Sequence, residues 1–97
     1  MNPFFDQFGV MLVEEANARG ADIAAPTMDD GTAKELLDLA RVVAHSRERR
    51  FAPLACYLAG IAIATIQTKQ PQLDIANYVK ALRIALEAQE DSGNNPV

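Results

Sequence analysis

The chain has 97 residues, 49% hydrophobic and 23% charged, the usage of a single globular domain with a modest apolar core. Its formal charge of −4 opposes duplex nucleic acid, so groove binding is excluded as a first reading and no nucleic-acid partner is expected. One cysteine, Cys56, excludes an internal disulfide framework and a multi-cysteine zinc site, and no metal is expected.

The opening, MNPFFDQFGVMLVEE, carries Asp6 and no basic n-region, so it does not read as a secretory signal. Asn2-Pro3 reads as an N-cap followed by proline at the first helical position. Phe4, Phe5, Phe8, Met11, Leu12 and Ala16 follow near helical spacing, which predicts a first helix over 3–18 ended by Gly20 in a left-handed conformation. Gly9 inside that helix costs up to about 1 kcal/mol relative to alanine, which predicts a close neighbour. Residues 20–31, GADIAAPTMDDG, form a long connection that Ile23 and Met28 are placed to tack down. A connection of this length is uncommon and often carries function or mobility.

Thr32-Ala33-Lys34-Glu35 has the capping-box pattern and predicts a second helix over 33–46. Ala33, Leu36, Leu37, Ala40, Val43 and Ala44 make its apolar face, and Lys34, Asp38, Arg41 and His45 its polar one. The short loop from Ser46 to Phe51 makes the second and third helices antiparallel neighbours. Pro53 fits the first turn of the third helix, which reaches Lys69 and is apolar nearly all round, as expected of a central buried helix. Within it Ala52, Cys56, Gly60 and Ala64 form a ladder of small residues four apart. Such a strip either holds the helices of one subunit together or seats a helix of a second copy or another protein. The uncharged run from Phe51 to about Gln67 falls short of the roughly 20 residues of a membrane span, so no span and a cytoplasmic location are expected. Pro71 closes the third helix. A fourth, from Gln72 or Asp74 to Gln89, places Ile75, Tyr78, Val79, Leu82 and Leu86 on one face and Asn77, Lys80, Arg83 and Glu87 on the other. The expected fold is all-α: a compact four-helix domain over 1–90 with short antiparallel connections, one long loop between helices one and two, and a flexible tail over 91–97.

Candidate chemistry gathers in AHSRERRFAPL, residues 44–54. Arg41 and His45 share a face of the second helix, with His45 at the C-terminus, where the macrodipole favours a cation. Arg47, Arg49 and Arg50 lie between that terminus and the start of the third helix. Unpaired amides near Ala52 to Leu54, flanked by arginine, would bind a phosphate or carboxylate. The plain alternative is that the arginines cap the second helix, pair with surface acids and keep a short loop soluble. Cys56 lies mid-helix among apolar residues, where a buried, inert thiol is usual, and His45 lacks a second polar group, so no catalytic residue is assigned.

Residues 36–62, LLDLARVVAHSRERRFAPLACYLAGIA, resemble the core of a family of small bacterial all-helical proteins known as a domain of unknown function. The matching positions are Ala40, Arg41, Ala44, His45, Arg49, Ala52, Pro53, Leu54, Tyr57, Leu58 and Gly60. Members of that family stand alone or are fused to molybdopterin guanylyltransferase-like enzymes, so the resemblance implies an accessory role near molybdenum-cofactor assembly and no established catalytic residue. This chain differs in having no Trp, a longer 20–31 connection and a more charged turn.

The expected function is that of a non-enzymatic accessory or adaptor protein, without a cofactor of its own. Its partner is another protein or a second copy, met through Arg41, His45, Arg47, Arg49 and Arg50. The alternative is a protein that binds a small ligand, a phosphorylated metabolite or molybdopterin-type cofactor, at the same corner.

Overall fold

The computed structural model of the chain describes residues 2–93. Among them are four helices and no strand: α1 (Pro3–Ala18), α2 (Asp30–Ser46), α3 (Phe51–Lys69) and α4 (Ile75–Gly93). The fold is all-α with four helices, as expected. Helix α4 runs past Gln89 to Gly93, through the start of the expected tail, and residues 94–97 lie outside the described ones. The helices fall into two compact units, one up to Asp30 and one from Gly31 onward.

The first unit is α1 and the connection after it. The Asn2 side-chain oxygen accepts the Phe4 N–H at 2.8 Å, and Pro3, which lacks an N–H, takes the first helical position. At the other end Gly20 adopts φ 88°. Its N–H donates to the Asn17 carbonyl at 3.0 Å, and the Ala21 N–H donates to Ala16 at 2.9 Å. This pair of bonds is a Schellman closure, and only glycine enters its left-handed position without strain. Gly9 is buried beneath the connection: a Cβ there would lie 3.7 Å from Ala25 Cβ and 3.7 Å from the Pro26 carbonyl oxygen. The predicted close neighbour is therefore Ala25-Pro26. Met28 is half-buried and Ile23 stays exposed.

In the second unit, α2 starts at Asp30, three residues before its predicted beginning, and Thr32 lies buried in the first turn rather than at the cap. An aspartate in the first turn suits the positive end of the helix dipole, which favours the extension. The core joins Leu39 and Val43 of α2, Ala59 of α3 and Val79 of α4, with Leu36, Ala55, Ile63, Ile75, Tyr78, Leu82 and Leu86 packed around them. Val79 has no exposed surface.

Helix α3 departs from the expectation of a central buried helix, since Ala59 is its only buried residue. Its inward side, Ala52, Ala55, Cys56, Ala59, Ala62, Ile63 and Ile66, is buried or half-buried, while Leu54, Tyr57, Leu58 and Ile61 on the other side are exposed. Three helices enclose one stripe of each, and an all-round apolar helix then keeps its second stripe outside. By length and composition α3 is apolar enough to cross a membrane, yet Ala55, Ala59 and Ile63 belong to the core of this unit. The small-residue ladder divides between the two sides. Successive positions four apart turn about 40° around a 3.6-residue helix, so Ala52 and Cys56 are half-buried whereas Gly60 and Ala64 are exposed.

Arg83 and Glu35, assigned from sequence to a solvent face and to a cap, instead meet between α4 and α2. Arg83 Nε lies 3.8 Å from Glu35 Oε1, with both side chains largely buried, and Arg83 Nη1 reaches Glu87 Oε1 at 2.9 Å.

Candidate functional site at the α2–α3 corner

Four residues, Arg47 to Arg50, carry the chain from α2 into α3. The Arg47 N–H donates to the Val43 carbonyl at 2.9 Å, and its guanidinium donates to the Ser46 carbonyl at 3.1 Å. A cation thereby sits on the carbonyl end of α2, where the dipole favours it. On the α3 side the Phe51 N–H donates to Glu48 O at 2.9 Å and the Ala52 N–H to Arg49 O at 3.2 Å. Pro53 has no N–H. The Phe51 and Ala52 amides are thus engaged in the turn, so of the cradle expected over Ala52 to Leu54 the first amide is already bonded and the second residue has none to give. What the corner offers a ligand is its side chains.

Arg50 Nε lies 2.8 Å from Glu48 Oε1, and its guanidinium carbon is 5.9 Å from the centre of the Phe51 ring. Arg41 Nη2 lies 3.5 Å from Asp38 Oδ1, while Lys34 Nζ takes Asp38 Oδ2 at 3.3 Å. The hydrogen bond from Lys34, with help from Arg41, holds the Asp38 carboxyl below its usual range against a smaller desolvation effect. His45 and Arg49 are exposed, and neither side chain is ion-paired within the corner. Arg41 and His45 are about one helical turn, roughly 6 Å, apart along α2. The corner therefore gathers four guanidinium groups and an imidazole on exposed stems, a set suited to carboxylate recognition. Single exposed ion pairs contribute only about 0–1 kcal/mol, so such a surface binds by making several together.

Cys56 is half-buried on the inward side of α3, with Sγ 3.9 Å from the Leu36 carbonyl oxygen, and burial pushes its thiol pKa up. A raised pKa lowers the thiolate fraction, in keeping with an unreactive thiol. His45 lies at the exposed end of α2.

Sequence reading missed a groove inside the first unit. Phe5, Phe8, Gly9 and Leu12 of α1 face Ala25, Pro26, Thr27 and Met28 across a cavity of about 500 Å³, with Asp6 on its edge. Its one signal in the sequence was Gly9 in mid-helix.

A family model described as a domain of unknown function (DUF6457) matches residues 6–94. No curated protein and no solved structure shows significant similarity to the chain.

Proposed function

The chain belongs to the DUF6457 family, and from that membership, which brings no assigned activity, we propose that it is a non-enzymatic accessory or adaptor protein of the cytoplasm that engages an acidic surface of a partner protein through its α2–α3 corner. One observation carries this reading: Arg41, Arg47, Arg49 and Arg50 place four of the nine basic residues within ten positions of a chain whose formal charge is −4, with Glu48 the single acid among them. All four arginines are exposed. Screening confines such a patch to a range of roughly 8 Å in physiological salt, so it acts at contact and the acidic body of the molecule does not cancel it. The small-ligand alternative drew on free amides at the start of α3. Those of Phe51 and Ala52 are bonded in the turn, which favours the protein partner.

The partner class suggested by the family resemblance is a molybdopterin guanylyltransferase-like enzyme. The test isolates the chain gently from its own host, beside the triple variant Arg47→Ala, Arg49→Ala, Arg50→Ala. The wild type retains a partner of protein mass and loses it in raised salt, and the variant retains at least about tenfold less. Equal retention by both chains would show that the contact lies elsewhere.

A further inference from the structure

The outward side of α3 is organised. Leu54, Tyr57, Ile61, Ala64 and Thr68 recur at intervals of three, four, three and four, the 3.5-residue spacing of a helix–helix seam, and all five are exposed. Leu54, Tyr57 and the flanking Leu58 each expose more than 60% of their surface. No charged residue occurs from Phe51 to Thr68. We propose that this face is the interface of a two-fold dimer, in which α3 of one copy packs antiparallel on α3 of a second copy.

Three observations select a second copy as the occupant. The first is charge. Two copies of a chain at −4 repel each other over most of their surfaces, and the α3 face, uncharged from Phe51 to Thr68, is the one where that repulsion is least. The second is area. With about 200 Å² for a large side chain, Phe51, Leu54, Tyr57, Leu58 and Ile61 leave on the order of 100 Å² each, so two copies together cover about 1,000 Å², the lower bound of a specific interface. The third is self-complementarity. An antiparallel pairing centred at the level of Ala59 sets Leu54 of each copy opposite Ala64 of the other, and Tyr57 opposite Ile61, so four of the five seam positions pair among themselves. A Cβ on Gly60 would have nothing within 4 Å in the single chain, so the second backbone meets no obstruction there. The antiparallel sense also keeps the two arginine corners at opposite ends, whereas a parallel pair would stack Arg49 and Arg50 of both copies.

Sedimentation equilibrium on the full 10.5-kDa chain tests this. The wild type is expected at twice the chain mass in the micromolar range, and Ile61→Glu, a change at an exposed position, weakens association by about 100-fold or more. The helical circular dichroism of the variant should stay unchanged. Tyr57→Lys serves as the second variant. For the pairing sense, chains carrying Leu54→Cys are mixed with chains carrying Ala64→Cys, both with Cys56→Ala. Oxidation should cross-link the mixture and leave Leu54→Cys alone uncross-linked. A wild-type chain that stays monomeric at about 200 µM overturns the proposal. So does a dimer unaffected by either charged variant, or a monomer that instead sediments with phosphatidylcholine vesicles through this face.

Discussion

Replacing Gly9 by alanine should stabilise α1. Glycine in a helix interior is about 0.8–1.0 kcal/mol less favourable than alanine, because its backbone loses more freedom on ordering. That gain survives only where the new methyl fits. Here it meets Ala25 Cβ and the Pro26 carbonyl oxygen at 3.7 Å each, ordinary contact distances that require no displacement. Because Gly9 is buried, the methyl also leaves water, which adds up to about 0.8 kcal/mol. The total is about 1–2 kcal/mol. Hydrogen exchange reads it locally: at about tenfold per 1.4 kcal/mol, the α1 amides near residue 9 should gain roughly five- to thirtyfold in protection. Faster exchange in Gly9→Ala would refute the reasoning, because it would mean that the connection does not lie over Gly9 as described.

Val79→Ala removes two methyl groups from a side chain with no exposed surface, and should cost about 2 kcal/mol by urea unfolding, at about 0.8 per group plus a cavity term. The Asp38 carboxyl has its pKa depressed by Lys34 and then Arg41, so its contribution is complete above the unfolded carboxylate pKa and disappears as pH falls through the lowered folded value. Thermal melting of the wild type and Asp38→Asn should therefore differ at neutral pH and converge in acid, and a gap that persists at the acid end would contradict this. Cys56 should react with iodoacetamide at pH 8 several-fold more slowly than a free thiol, and denaturant should erase the difference, because desolvation raises its pKa. A native rate equal to the denatured one would show the thiol to be open.

Local chemistry was legible and tertiary choice was not. Both ends of α1 follow from residues within a turn of them, Asn2-Pro3 and Gly20, and the helix has its predicted bounds. The capping box at Thr32 and Glu35 misled because each side chain had a competing use. Thr32 is buried in the first turn, and Glu35 turns to Arg83, forty-eight positions away in sequence, which no local pattern reveals. In α3 the apolar residues run round the whole helix, so no periodicity marks which stripe is covered, and packing against α2 and α4 decides it. The arginine cluster was visible as composition. The turn bonds that engage the Phe51 and Ala52 amides were not, because they depend on backbone geometry between Glu48 and Ala52.

The Glu35–Arg83 pair has a consequence for alignment. Glu35 Oε1 and Arg83 Nε are buried without a hydrogen-bond partner, 3.8 Å from each other. Apolar contacts between α2 and α4 are non-directional, and valines and leucines repeat along both helices, so a slide by one turn would trade one set for another at small cost. The ion pair does not slide: a shift of about 5.4 Å would leave a carboxylate and a guanidinium apart in a poorly solvated seam. The two charges thus act as a key that admits one register of α4 on α2. Replacing both by leucine and methionine would leave the stability nearly unchanged while removing the key, and the loss would appear as broadened, multiple amide resonances along α4 rather than as a lower melting temperature.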